Sequence, residues 1–196
     1  MRLRVALVAI LALAAFLWWT DRPVPREPGV LAPEPPLQVE LPEEEFFPHD
    51  DFVIAKVARF EVAARVLGKE RYWVEREADL VPYDLALGWG RMSDSTVLEK
   101  ISISQGRRYY FWSVREYPIP RSEIISSSAN MHLIPSTKEV RDAIGSVREG
   151  QVVRFTGYLV RAIGPNGWRW TTSLTRTDTG NGACELVWVE TFEVVS

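Results

Sequence analysis

Cys184, His132 and Asp178 are the side chains in this sequence best equipped for chemistry. A thiolate needs a base and an acid to orient that base, and the groups meet in space rather than in sequence. Cys184 with His132 and Asp94 or Glu185 would serve for thiol-dependent hydrolysis. Asp178-Thr179-Gly180 has the letters of the aspartic-protease triplet, in which paired carboxylates share a proton and activate water. Its surroundings differ: Thr175-Arg176-Thr177 stand where an apolar strand is required, so a polar hairpin loop with Arg176 beside Asp178 explains the same residues. Met131 and Leu133 alternate with Asn130 and His132, which on a strand places His132 beside Asn130 and favours a hydrogen-bonded histidine over a base. Glu185 adjoins Cys184 with no lysine or arginine near it in the strand, a setting that disfavours the thiolate. Cys184 is therefore expected to be a structural thiol. With two histidines and one cysteine, neither a metal cluster nor an intramolecular disulfide can be built, and no cofactor is expected.

The most unusual local stretch is Gly88-Trp89-Gly90-Arg91-Met92-Ser93-Asp94-Ser95. Trp89 and Asp94, together with Asn130, His132 and Arg176, are the ligand-binding candidates, although an indole there more often packs than offers a platform. Arg107-Arg108-Tyr109-Tyr110-Phe111-Trp112 interleaves bases and aromatics as single-strand nucleic-acid binders do. The net charge argues for a strand with charged turn residues instead. Residues 1–52 carry net −5 and residues 53–196 carry net +2, so the folded part has no electrostatic footprint for nucleic acid.

The elements that must position these residues read as mainly β. Phe60, Val62, Ala64 and Val66 alternate with charged residues, and Gly68-Lys69 reads as the turn of a hairpin returning through Tyr72 and Val74; the same residues also fit an amphipathic helix. Pro82 to Leu87 reads as a short helix stopped by Gly88. A hairpin is expected across Gln105-Gly106, and Ser93 or Asp94 can cap a helix at Thr96-Val97-Leu98. Ser136 or Thr137 caps a helix running to about Val147. The last fifty residues read as a meander: a strand through Val153, Phe155 and Leu159, a turn at Gly164–Gly167, a strand through Trp168, Trp170, Thr172 and Leu174, a second turn, then Cys184–Val195. Gly157 marks a bend in a curved strand. The expected fold is mainly β (α+β), a small OB-like or related partly closed β-barrel with one or two short helices.

Met1-Arg2-Leu3-Arg4 followed by an unbroken apolar run, Val5 to Trp19, has the layout of a signal-anchor. The one small-residue cleavage site, Ala12-Leu13-Ala14, would leave Phe16–Trp19 exposed, so retention is expected. Residues 1–19 are thus expected as a signal-anchor or transmembrane segment and residues 20–51 as an acidic, proline-rich extended linker. Residues 52–196 are expected as an extracytoplasmic β-rich domain on a single-pass inner-membrane protein.

Asp84–Gly90, Asn130–Pro135, Arg176–Gly180 and Gly182–Glu185 resemble an uncharacterised family of bacterial membrane-anchored proteins, with which no activity or ligand is associated. The resemblance covers most of residues 52–196. Together these readings imply a membrane-tethered interaction or ligand-binding domain, with an envelope protein as partner and a place beside an envelope or secretion system. The alternatives are a hydrolase using His132 with Cys184 or Asp178, and an OB-type single-stranded nucleic-acid binder.

Overall fold

The computed structural model describes residues 22–74, 76–175 and 184–196. The expected anchor, Arg176 and Asp178 lie outside them. Strand β1 (Leu37–His49) turns through Asp50-Asp51 into β2 (Phe52–Arg71), followed by β3 (Tyr83–Gly88) and the short helix α1 (Ser95–Leu98). Strands β4 (Ile101–Gly106) and β5 (Tyr109–Val114) form a separate hairpin. Helix α2 (Arg121–Ser126), β6 (Ser128–Pro135), α3 (Lys138–Ser146), β7 (Val152–Ile163), β8 (Arg169–Thr171) and β9 (Glu185–Val194) complete the chain.

β2 is long enough to hold three partners, β1, β3 and β7, all antiparallel. β3 pairs with β6, β6 runs parallel to β9, β9 pairs with β7, and β7 returns to β2. The pairings therefore run round a ring, β2-β3-β6-β9-β7, with β1 and β8 as added edges. Its interior holds Phe60, Val62, Leu85, Leu87, Met131, Leu133, Phe155 and Val187, and Val140 and Ile144 of α3 pack against them. Thr137 caps α3 as expected, accepting from the Val140 amide at 3.3 Å.

Gly157 sits at a register shift between β7 and β9, and a β-carbon there would come within 1.9 Å of the Trp188 carbonyl oxygen. The bend read at this glycine is a close approach of two strands.

Four expectations are corrected. Gly68-Lys69 is not a turn: β2 runs through it, and the glycine absorbs a bulge against β3. Residues 83–87 form a strand rather than a helix. Every residue of β3 is buried, so the sequence shows no alternation that would mark it. The last three strands are not a meander, because β9 inserts between β6 and β7 instead of lying beside β8. In the expected linker, residues 37–49 form an edge strand, with Pro42 where the β1–β2 register breaks, and the linker boundary falls inside the β1–β2 turn.

Residues 22–32 lie against the domain as a strap. The Val24 amide donates to the Glu149 carbonyl at 2.8 Å, and Arg26 Nε donates to the Gly150 carbonyl at 2.8 Å. The Gly29 amide donates to Asp94, and the Leu31 and Ala32 amides both donate to Ser93 Oγ. Gly150, at φ +87°, allows this: a β-carbon there would meet the Val24 carbonyl oxygen at 2.1 Å.

Candidate functional site

Along β3 the side chains of Tyr83, Leu85 and Leu87 enter the core, leaving Asp84 and Ala86 on the outer face. Along β6, Met131 and Leu133 enter it, leaving Asn130 and His132 outside. Asp84 and His132 are cross-strand partners. Each is nonetheless fully or almost fully buried, because the tip of the β4–β5 hairpin lies over them.

Asp84 is the centre of this polar cluster. Arg108 Nη1 donates to its Oδ1 at 3.1 Å and to the Val81 carbonyl at 2.9 Å. His132 Nδ1 lies 2.8 Å from the same Oδ1, off the line of a straight N–H bond. Asn130 Nδ2 donates to the Arg108 carbonyl at 3.2 Å, and Gln105 Nε2 donates to Asn130 Oδ1 at 2.7 Å. A buried carboxylate is expensive unless donors meet it, and here the Arg108 guanidinium and, at 3.4 Å from Oδ2, the Asn130 amide do so. Tyr72 stacks under the Arg108 guanidinium at 3.5 Å, and its hydroxyl accepts from the Arg108 amide. Burial, reinforced by the Asp84 charge, pushes the Tyr72 hydroxyl well above its usual range.

The hairpin turn that delivers Arg108 is strained. Arg107 and Arg108 adopt φ of +54° and +68°. Two-residue hairpin turns of this hand favour Asn-Gly, and side chains of this size are rare there. The expected hairpin is present, but its turn is Arg107-Arg108 rather than Gln105-Gly106.

Beside the cluster opens a cleft of about 540 Å³ lined by Glu77, Arg107, Arg108, Tyr109, His132, Trp168, Arg169, Trp170, Thr171 and Cys184. The Trp170 ring lies 4.6 Å from the His132 ring, and Trp168 meets Trp170 edge to face at 6.2 Å. Nδ1 of His132 is turned to Asp84 while the ring lines the cleft wall, and Nε2 has no partner among the described residues. Cys184 is half-buried. Cys184 immediately precedes β9 and lines the same cleft as His132.

Of the residues singled out from the sequence, His132 and Cys184 share this cleft and Asn130 supports it from behind. Trp89 and Asp94 do not join them. Trp89 is buried in the core. Asp94 caps α1 through the Thr96 amide and also holds the strap through Gly29, and these two bonds keep its carboxyl below the usual range. The unusual Gly88–Ser95 stretch is thus the strap's seat. Glu185 is buried next to Cys184, and the acid that reaches His132 is Asp84. Sequence reasoning missed Asp84, Arg108 as its partner, Tyr72, and the indoles of Trp168 and Trp170 as a site. The available signal was Asp84 itself, the one charge in an otherwise apolar run Tyr83–Gly88. Among the described residues no group of three or more His, Cys, Asp or Glu is placed to hold a metal ion.

Chemically, the cleft offers two indoles and a phenol as flat surfaces, the Arg107 and Arg169 guanidiniums for an anion, and an imidazole whose Nδ1 lies against the Asp84 carboxylate. No protein-family model, characterised protein or solved structure matches this chain.

Proposed function

We propose that this chain is a membrane-tethered, extracytoplasmic ligand-binding domain of OB type, and that its ligand lies in the cleft of Trp168 and Trp170. The observation that carries the reading is the convergence of Tyr109, Trp168 and Trp170 with Arg107 and Arg169 on one open cleft. Indoles stack on flat ligand faces and guanidiniums pair with anions, so the ligand class is one with a planar or sugar-like face and a negative group.

Topology supports the place. Taken in chain order the ring strands are β2, β3, β6, β7 and β9, with the third and fifth parallel and α3 between the third and fourth. OB folds bind ligands on the face of their second and third strands, between the loops that follow the first and fourth. Here that face carries Asp84 and His132, and those two connections supply Glu77 and Trp168–Thr171. The fold analogy supplies only the location; the side chains supply the chemistry.

The tether follows from the apolar run at residues 5–19 and from the strap. Val24 lies five residues past Trp19, a span of at most about 17 Å. The domain then sits beside the inner membrane rather than at the end of a spacer, close to a protein partner in the envelope. A second reading, single-stranded nucleic-acid binding, is favoured by the same interleaving of arginine and aromatic residues. It is opposed by the near-neutral balance of residues 53–196, net +2, and by the proposed extracytoplasmic placement.

The test is titration of the full chain in detergent micelles with an acidic oligosaccharide, an aryl carboxylate and a single-stranded oligonucleotide, followed by indole fluorescence. The reading expects a saturable change with one of the first two that Trp170→Ala abolishes. A response to the oligonucleotide alone transfers the assignment to the second reading. A response that survives Trp170→Ala, or none at all, refutes both.

A further inference from the structure

We propose that Cys184 is a reactive thiol that exchanges with small anionic disulfides entering the cleft, so that the site holds covalent as well as reversible ligands. The inference rests on the cleft being the ligand site proposed above, and it reverses the structural role expected from the local sequence.

That expectation turned on Glu185 beside the thiol and on the absence of a nearby cation in the strand. The fold replaces both conditions. Glu185 is the next residue along β9 and alternates to the other face, in register with the core residue Met131. Cys184 faces the cleft, where Arg107 and Arg169 line the wall with His132 and with Glu77 as the acidic member, and where Arg108 is paired with Asp84 behind that wall. A half-exposed thiol in an electropositive setting is the arrangement that favours the thiolate.

His132 supplies an independent observation. Its side chain is only 3% exposed, its Nδ1 lies 2.8 Å from Asp84 Oδ1 without a hydrogen bond, and its Nε2 is without a partner among the described residues, in the wall of the cleft that Cys184 also lines. An imidazole nitrogen open to the cleft is placed to take a proton from a thiol on the same wall.

In the exchange, the Cys184 sulfur attacks one sulfur of R–S–S–R and forms Cys184–S–S–R. The S–S bond of the reagent breaks and its electron pair leaves on the thiolate R–S⁻, while the thiol proton passes to His132 Nε2 or to water. The incoming disulfide is the oxidant, so electrons balance. Tyr109, Trp168 and Trp170 would hold an aromatic R, and the arginines its charge. Cys184 is the sole cysteine, so no second thiol in the chain resolves the adduct.

The experiment follows the reaction of the full chain in detergent micelles with 5,5′-dithiobis(2-nitrobenzoate), which is anionic and aromatic, and with uncharged 4,4′-dithiodipyridine, each against the urea-unfolded chain. The proposal expects the native chain to react about tenfold faster than the unfolded chain with the anionic reagent, and to show a smaller advantage with the neutral one. Arg169→Ala, an exposed position, should lower the anionic rate severalfold and leave the neutral rate in place. His132→Gln should slow both. A native thiol slower than the unfolded one with both reagents overturns the proposal, as does an equal advantage with both. Titrating Cys184→Ser with thionitrobenzoate, by indole fluorescence, separates the two claims. Binding there with an inert native thiol removes only the exchange, whereas fast exchange without indole response removes the cleft as the binding site.

Discussion

Asp84 Oδ1 stands 2.8 Å from His132 Nδ1, between residues that face each other across β3 and β6. The pair is held by the Arg108 guanidinium, which reaches the same oxygen from a hairpin 24 residues further on. Removing the carboxylate leaves a buried guanidinium without its counter-charge. Asp84→Asn should destabilise the domain by about 3 kcal/mol, read as a lower midpoint in chemical denaturation with unchanged slope. A loss below 1 kcal/mol would mean that water already serves Arg108.

Arg107 keeps a left-handed backbone for which its side chain is poorly suited. Asn tolerates that region, so Arg107→Asn should raise stability by about 1 kcal/mol. The same change removes a cation from the cleft rim and should weaken binding of an anionic ligand severalfold. Thermal unfolding and ligand titration on one variant test both halves. If binding is unchanged, the strain serves something other than the ligand.

Gly150 admits the backbone of Val24. Gly150→Ala closes that space at a positive φ, so the strap should lift away while the ring remains folded. Trypsin should then cut after Arg26 much faster than in the parent chain, with little change in the far-ultraviolet circular dichroism. Equal cleavage rates would show that the strap is held elsewhere.

Acid should also loosen the strap. The Asp94 carboxyl is held below its ordinary 3.8 by the Thr96 and Gly29 amides. A carboxyl whose value is lowered on folding contributes stability above the unfolded value, and loses it as pH falls through the folded one. Tryptic release cannot be followed there, so hydrogen exchange of the Gly29, Leu31 and Ala32 amides is the measurement. Protection should fall below about pH 4. In Asp94→Asn the pH dependence should disappear.

Local signals were legible where one residue decides the outcome. Thr137 and Asp94 cap their helices, the β4–β5 hairpin is present, and Gly157 marks a close strand approach. The β2 pattern fits a strand and an amphipathic helix alike, and its continuation through Gly68 is not legible, because a bulge and a turn use the same residue. β3 was misread since both of its faces are covered. The site itself was half legible. His132 beside Asn130 follows from alternation, whereas Asp84, Arg108 and Cys184 come together only through the registers of β3, β6 and β9 and the fold of a separate hairpin. No local spacing encodes those registers.

The central claim is that ligand lies against Trp168 and Trp170. The most direct measurement is the nitrogen–proton correlation spectrum of the indole groups, with full-length chain in micelles titrated with the ligand class that changes fluorescence. Trp89 and Trp188 are buried away from solvent and serve as internal references. The account predicts saturable shifts of the Trp168 and Trp170 indole signals, with those of Trp89 and Trp188 unmoved. Shifts confined to the other indoles, with Trp168 and Trp170 unchanged at saturation, would contradict it.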